Sequence, residues 1–146
     1  MRFVQLIALF FLLAGCLNEP DCIITSTNLV KINFKKDSKT PREIIFTKIT
    51  VSGLEKDFYV EQKATSVQLP VDPENTEATF TFYFEGRTET MHITYVKEAE
   101  VISVNCGAYT NYSGLDIPET TFEIFNITNR KLLLDATSNI DVFIIE

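Results

Sequence analysis

The chain has 146 residues, with 20 acidic against 13 basic side chains, a formal charge of −7 and one histidine. Such a balance argues against a nucleic-acid partner and against a polybasic membrane patch, both of which need clustered lysine and arginine. Apolar residues make up 45 %, with 12 Phe and no Trp, enough to fill the core of a single domain.

The N-terminus has the layout of a secretory signal. Met1 and Arg2 precede an apolar run from Phe3 to Leu13 broken only by Gln5, and small residues follow. The run is too short to span a bilayer as a stable helix. Leu13-Ala14-Gly15-Cys16 reads as a bacterial lipobox. It predicts a cleaved signal helix over 1–15, a diacylglyceryl group on the Cys16 sulfur and a short linker over 16–21 before one domain over 22–146. Two or three acyl chains attach a protein stably to a membrane. Leu17 and Asn18 follow the cysteine where an aspartate would retain the protein in the inner membrane. The outer membrane, periplasmic face, is therefore the expected location. With Cys16 lipidated, Cys22 and Cys106 remain as an even pair in an oxidising compartment. A disulfide between them is expected, with two free buried thiols as the competing reading.

Downstream the apolar pattern has period two and no sustained helical period. Val30, Ile32 and Phe34 alternate with Lys31, Asn33 and Lys35; the lysines, with Lys36 and Lys39, read as the solvated end of that strand and its turn. Ile44 to Val51 is a second strand, stopped by Ser52-Gly53. Phe58 to Val60 continues the meander, and Ser66 to Leu69 is a short strand ended by Pro70. Phe80, Phe82 and Phe84 form one arm of a hairpin turned over Glu85-Gly86-Arg87-Thr88, and Met91, Ile93 and Tyr95 return. Val101 to Val104 leads into Cys106-Gly107, and 108–120 reads as a loose connection. Phe122 to Ile127 and Lys131 to Leu134 flank Thr128-Asn129-Arg130 as a last hairpin, before a final strand over Ile140 to Ile145. Eight or nine short strands without helices predict an all-β fold, an antiparallel β-sandwich of immunoglobulin-like or similar type.

Several pieces in order resemble an uncharacterised family of small exported Bacteroidota proteins, known only as a domain of unknown function. They are Cys22, Leu69-Pro70-Val71-Asp72-Pro73, Ile93-Thr94-Tyr95 with Lys97, Ser103 to Gly107, and Asn139-Ile140-Asp141-Val142. The resemblance implies an exported β-domain and brings no activity or binding residues with it.

Chemistry-bearing constellations are sparse. His92 is alone and lacks a nucleophile motif such as Gly-x-Ser-x-Gly, and zinc would need more ligands. Glu98 with Glu100, or Asp116 with Glu119, offers the paired acids of glycoside hydrolysis; solvated side chains are the plainer reading. Asp72, Glu74, Asn75 and Glu77 supply oxygen ligands for Ca²⁺ in one loop, without the EF-hand spacing. Tyr83, Tyr95, Tyr109 and Tyr112 could line a sugar platform, although half-buried strand tyrosines are commoner. The resulting expectation has no catalytic, metal or cofactor site. It is a non-enzymatic binding or structural module on a lipid anchor, with a protein or glycan partner. The alternatives are an envelope polysaccharide hydrolase and a small lipocalin-like carrier.

Overall fold

The computed structural model describes residues 22–104 and 106–145. The expected signal segment over 1–15, Cys16 and the expected linker to Asp21 lie outside the described residues. Nine strands form: β1 (Leu29–Lys35), β2 (Ile44–Val51), β3 (Gln62–Ala64), β4 (Ser66–Pro70), β5 (Glu77–Phe84), β6 (Arg87–Ser103), β7 (Gly107–Thr120), β8 (Ile124–Ile127) and β9 (Ile140–Phe143). One sheet runs β4-β1-β9-β8 and the other β3-β2-β5-β6-β7. The described residues contain no helix, and the fold is all-β and sandwich-like.

Period-two patterning builds the interior. Val30, Ile32 and Phe34 of β1 are buried, as are Phe80, Phe82 and Phe84 of β5 and Met91, Ile93 and Tyr95 of β6. Phe34 from the first sheet meets Phe46 and Phe82 of the second at 5.3 and 6.0 Å between ring centroids. That cluster joins the two layers, and truncating one such ring to alanine would cost about 3–5 kcal/mol. In β2 the alternation slips by one residue. Phe46 pairs with Phe84 and Lys48 with Tyr83, so a bulge at Thr47 lets Phe46 and Ile49 both point inward. Glu85 (φ 50°) and Gly86 (φ 73°) close the β5–β6 hairpin between the paired Phe84 and Arg87, the left-handed pair a two-residue turn requires.

The structure departs from the sequence reading at four places. The sandwich is not wholly antiparallel, because β1 and β9 pair in parallel over Ile32–Ile140 to Lys35–Phe143. Phe58 makes only an isolated bridge to Ile49, and the neighbouring strand is β3. Segment 108–120 is not a connection but most of β7. Lys131 to Leu134 is not a hairpin arm either: β8 pairs with β9, while Leu132 N donates to Tyr112 O and Thr27 N to Leu132 O. That segment instead covers the open edge of β7, whose backbone groups need partners.

Candidate functional site

β5 begins at Glu77, opposite Thr94, so beyond that point β6 pairs only with β7. From Val96 to Val104, and from Gly107 to Asn111, no described residue is buried. The two strands therefore leave the sandwich as a two-stranded arm. At its tip Cys22 and Cys106 form a disulfide with Cα atoms 5.5 Å apart, and Ser103 Oγ accepts from Cys106 N at 3.0 Å.

The base of the arm is locked to the loop after β4. Tyr95 OH donates to Asp72 O at 3.0 Å, Tyr95 N to Thr76 O at 2.9 Å, and Lys97 Nζ to Pro73 O at 2.7 Å. The Asp72 carboxylate accepts from Glu74 N at 2.9 Å and from Asn75 Nδ2 at 2.7 Å, which shapes the turn. Tyr95 and Tyr112 pack with ring centroids 5.9 Å apart. Burial pushes the Tyr95 hydroxyl up to about 12, with Tyr112, Asp72 and Glu77 adding to the rise. The Tyr112 hydroxyl is raised by burial and then by the Asp72 charge.

Beside the arm lies a groove of about 260 Å³, lined by Glu98, Glu100, Tyr109 and Asn111 on one side and Thr25 and Lys131 on the other. Glu98 and Glu100 share this wall, as their i, i+2 spacing on an extended strand dictates. The Glu100 carboxylate already accepts from Tyr109 OH at 2.9 Å and from Asn111 Nδ2; its hydrogen bond to the Tyr109 hydroxyl raises that phenol. The two acids stand along one strand, not across a cleft from each other. Among the described residues no group of three metal-ligating side chains converges.

The opposite end of the sandwich holds a smaller recess of about 150 Å³, lined by Phe84, Arg87, Phe122 and Ile144 among others. Near it the buried Arg42 donates to Ile144 O at 3.0 Å and to Glu85 Oε2 at 3.3 Å. The sequence reading missed Arg42. Its isolated position in an otherwise polar turn carries no pattern.

A family model described as a family of unknown function, DUF6452, matches residues 48–144. The chain belongs to the DUF6452 family. No curated protein and no solved structure matches the chain. Of the pieces that carried the sequence resemblance, all but Cys22 fall within the DUF6452 match, and the structure gives each an architectural task. Asp72 and Pro73 receive Tyr95 and Lys97, Ser103 caps the turn before Cys106, and Cys106 is bonded to Cys22. Asn139, fully buried, accepts from Lys31 N at 2.9 Å through Oδ1 and donates from Nδ2 to Asn129 O at 3.1 Å and Lys131 O at 2.8 Å. Asp141 accepts from Lys35 Nζ at 2.5 Å and from Ser138 Oγ at 3.0 Å.

The remaining candidates disperse. His92 faces Thr79, with Nδ1 3.2 Å from Oγ1, and its Nε2 stands 3.7 Å from Glu77 Oε2. Asp116 is held by Arg130 at 3.1 Å, while Glu119 is paired in register with His92. The four tyrosines do not form one platform: Tyr109 and Tyr112 both line the groove, Tyr112 packing against the buried Tyr95, while Tyr83 lies apart under Lys48. The lysine cluster is not merely solvated. Lys31 Nζ donates to Leu134 O and Ala136 O at 2.7 and 2.8 Å, and Lys35 pairs with Asp141.

Proposed function

We propose that this DUF6452 member is an exported bacterial lipoprotein of Bacteroidota type, held through Cys16 on the periplasmic face of the outer membrane. There it acts as a non-enzymatic binding or structural module. One observation carries the reading. The polar motif residues are spent on bonds that hold the fold, while the segment leading back towards Cys16 is tied by Cys22–Cys106 to a projecting arm. A disulfide suits an oxidising compartment. Partner binding has a natural place at β8, a four-residue edge strand carrying the exposed Ile124 and Phe125, since an open edge can accept a partner's strand.

The test is acylation. Wild-type protein grown with labelled fatty acid should incorporate label and show an intact mass beginning at an acylated Cys16. Cys16→Ala should lose both the label and the membrane fraction. A purified native protein that keeps residues 1–15 and carries no fatty acid would overturn the proposal. The alternative is a polysaccharide hydrolase acting through Glu98 and Glu100, although the two acids stand along one strand and not across a cleft. That reading requires sugar release from envelope polysaccharide by wild type and its loss in Glu98→Gln.

A further inference from the structure

The arm tip combines three features. It is apolar and exposed: Val104 is fully solvent-accessible, Val101 is 72 % exposed, and Ile23 and Ile24 are 66 % and 50 % exposed. It is devoid of charge: no Asp, Glu, Lys or Arg occurs from residue 101 to 115 or from 22 to 30, in a chain where such residues make up 23 %. It is also joined to the route to the anchor, because the disulfide holds Ile23 and Val104, one and two positions from the bonded cysteines, at the same end of the molecule.

Outward β-strand positions in a solvated ribbon are ordinarily polar, and clusters of exposed apolar side chains mark contact surfaces. The charges resume at Glu100 and Glu98 further down the arm, in the groove. This ordering, apolar at the tip and charged behind it, is what a lipid surface selects, since a charge is costly to sink below the headgroups whereas Val and Ile gain there.

We propose that the tip of the β6–β7 arm, with Ile23, Ile24, Val101 and Val104, inserts into the lipid surface that carries the anchor. The inference rests on the lipoprotein reading above. Cys16 stands six positions before Cys22, and a chain of that length spans at most about 20 Å when fully extended. An acylated Cys16 therefore keeps the tip within that distance of the headgroups, and the disulfide prevents the arm from swinging away from its tether. The sandwich stands on the membrane arm-first, with the β8 end and its exposed Phe125 directed away from the lipid.

The absence of tryptophan makes the test direct. Val104→Trp changes a fully exposed position, so folding is not at stake, and Lys39→Trp on the exposed turn at the other end serves as the comparison. Both are prepared as the full acylated protein in phosphatidylethanolamine–phosphatidylglycerol vesicles, with acylation verified by mass and attachment by flotation. Val104→Trp should show a blue-shifted emission and strong loss of intensity with brominated acyl chains, and Lys39→Trp neither. Solvent-like, unquenched emission from Val104→Trp in protein that is acylated and floats would overturn the arm contact and leave the anchor intact. Protein lacking the acyl mass would overturn the anchor itself, and the inference with it. As a second arm, Val101→Glu added to the acylated Val104→Trp protein should weaken the quenching by brominated chains. Quenching unchanged by the glutamate would place the contact elsewhere.

Discussion

Asn139 shows how a single side chain can join three segments. It is fully buried, and its oxygen and nitrogen bond the backbone of β1 and of the loop after β8. Asn139→Ala would remove the partner of one amide and two carbonyls, all of them part-buried, and a loss of about 1–3 kcal/mol is expected in urea unfolding. Asn139→Asp should cost at least as much, because it retains the acceptor for Lys31 N but turns a carboxylate oxygen towards two carbonyls. Tyr95 supplies a pH counterpart. Its hydroxyl is pushed up to about 12, above the ordinary phenol value near 10, so the folded state holds this proton more tightly than the unfolded chain. The resulting stabilisation is complete below about pH 10 and is lost as pH rises towards 12. Over that window the midpoint of denaturation should fall more steeply in wild type than in Tyr95→Phe; parallel slopes would show that Tyr95 does not govern the alkaline limb.

At the level of elements, legibility follows regularity. β1, β5 and the first half of β6 alternate without interruption, and the sequence announces both their existence and their inward faces. β7 does not alternate. Between His92–Glu119 and Val96–Ser113 its pairing with β6 slips twice, and each extra residue on β7 inverts the pattern that period two would display. Gly114 and Pro118 then look like loop punctuation, although the segment is a 14-residue strand. The 131–134 segment misleads in the opposite direction: its apolar residues pack as an edge cover without joining a ladder. The side-chain bonds from Tyr95 to Asp72 and from Lys97 to Pro73 link residues 23 and 24 positions apart, which no local pattern encodes. Gly114 adopts φ +62°, and a Cβ there would lie 3.3 Å from Val96 Cγ2. Gly114→Ala should therefore destabilise by about 1–2 kcal/mol, the cost of a left-handed residue with a side chain, and amide exchange should quicken first at the flanking bulges. A neutral result would mean that β7 can shed its bulge.

For the whole molecule, the Cys22–Cys106 bond spans 84 positions. Restricting the unfolded chain by a loop of that length is worth about 4–5 kcal/mol in loop-closure entropy. The measured effect of removing it should be smaller. Residues 22–25 belong to no strand, and Ile23 and Ile24 are exposed, so once the bond is broken this segment can fray in the folded state and recover part of the same entropy there. Further along, Leu134 N donates to Thr25 O, and Ser26 and Thr27 pair with the 132–133 segment; fraying should stop at that point. Cys22→Ala combined with Cys106→Ala should accordingly lower unfolding stability by less than the full loop term. Loss of amide protection should be confined to the arm beyond Val96 and to residues 22–24, with the phenylalanine core unchanged. A loss of protection spreading into β5 or β9 would mean that the arm and its disulfide stabilise the core, and that the projecting ribbon is not the separable platform that arm-first attachment requires.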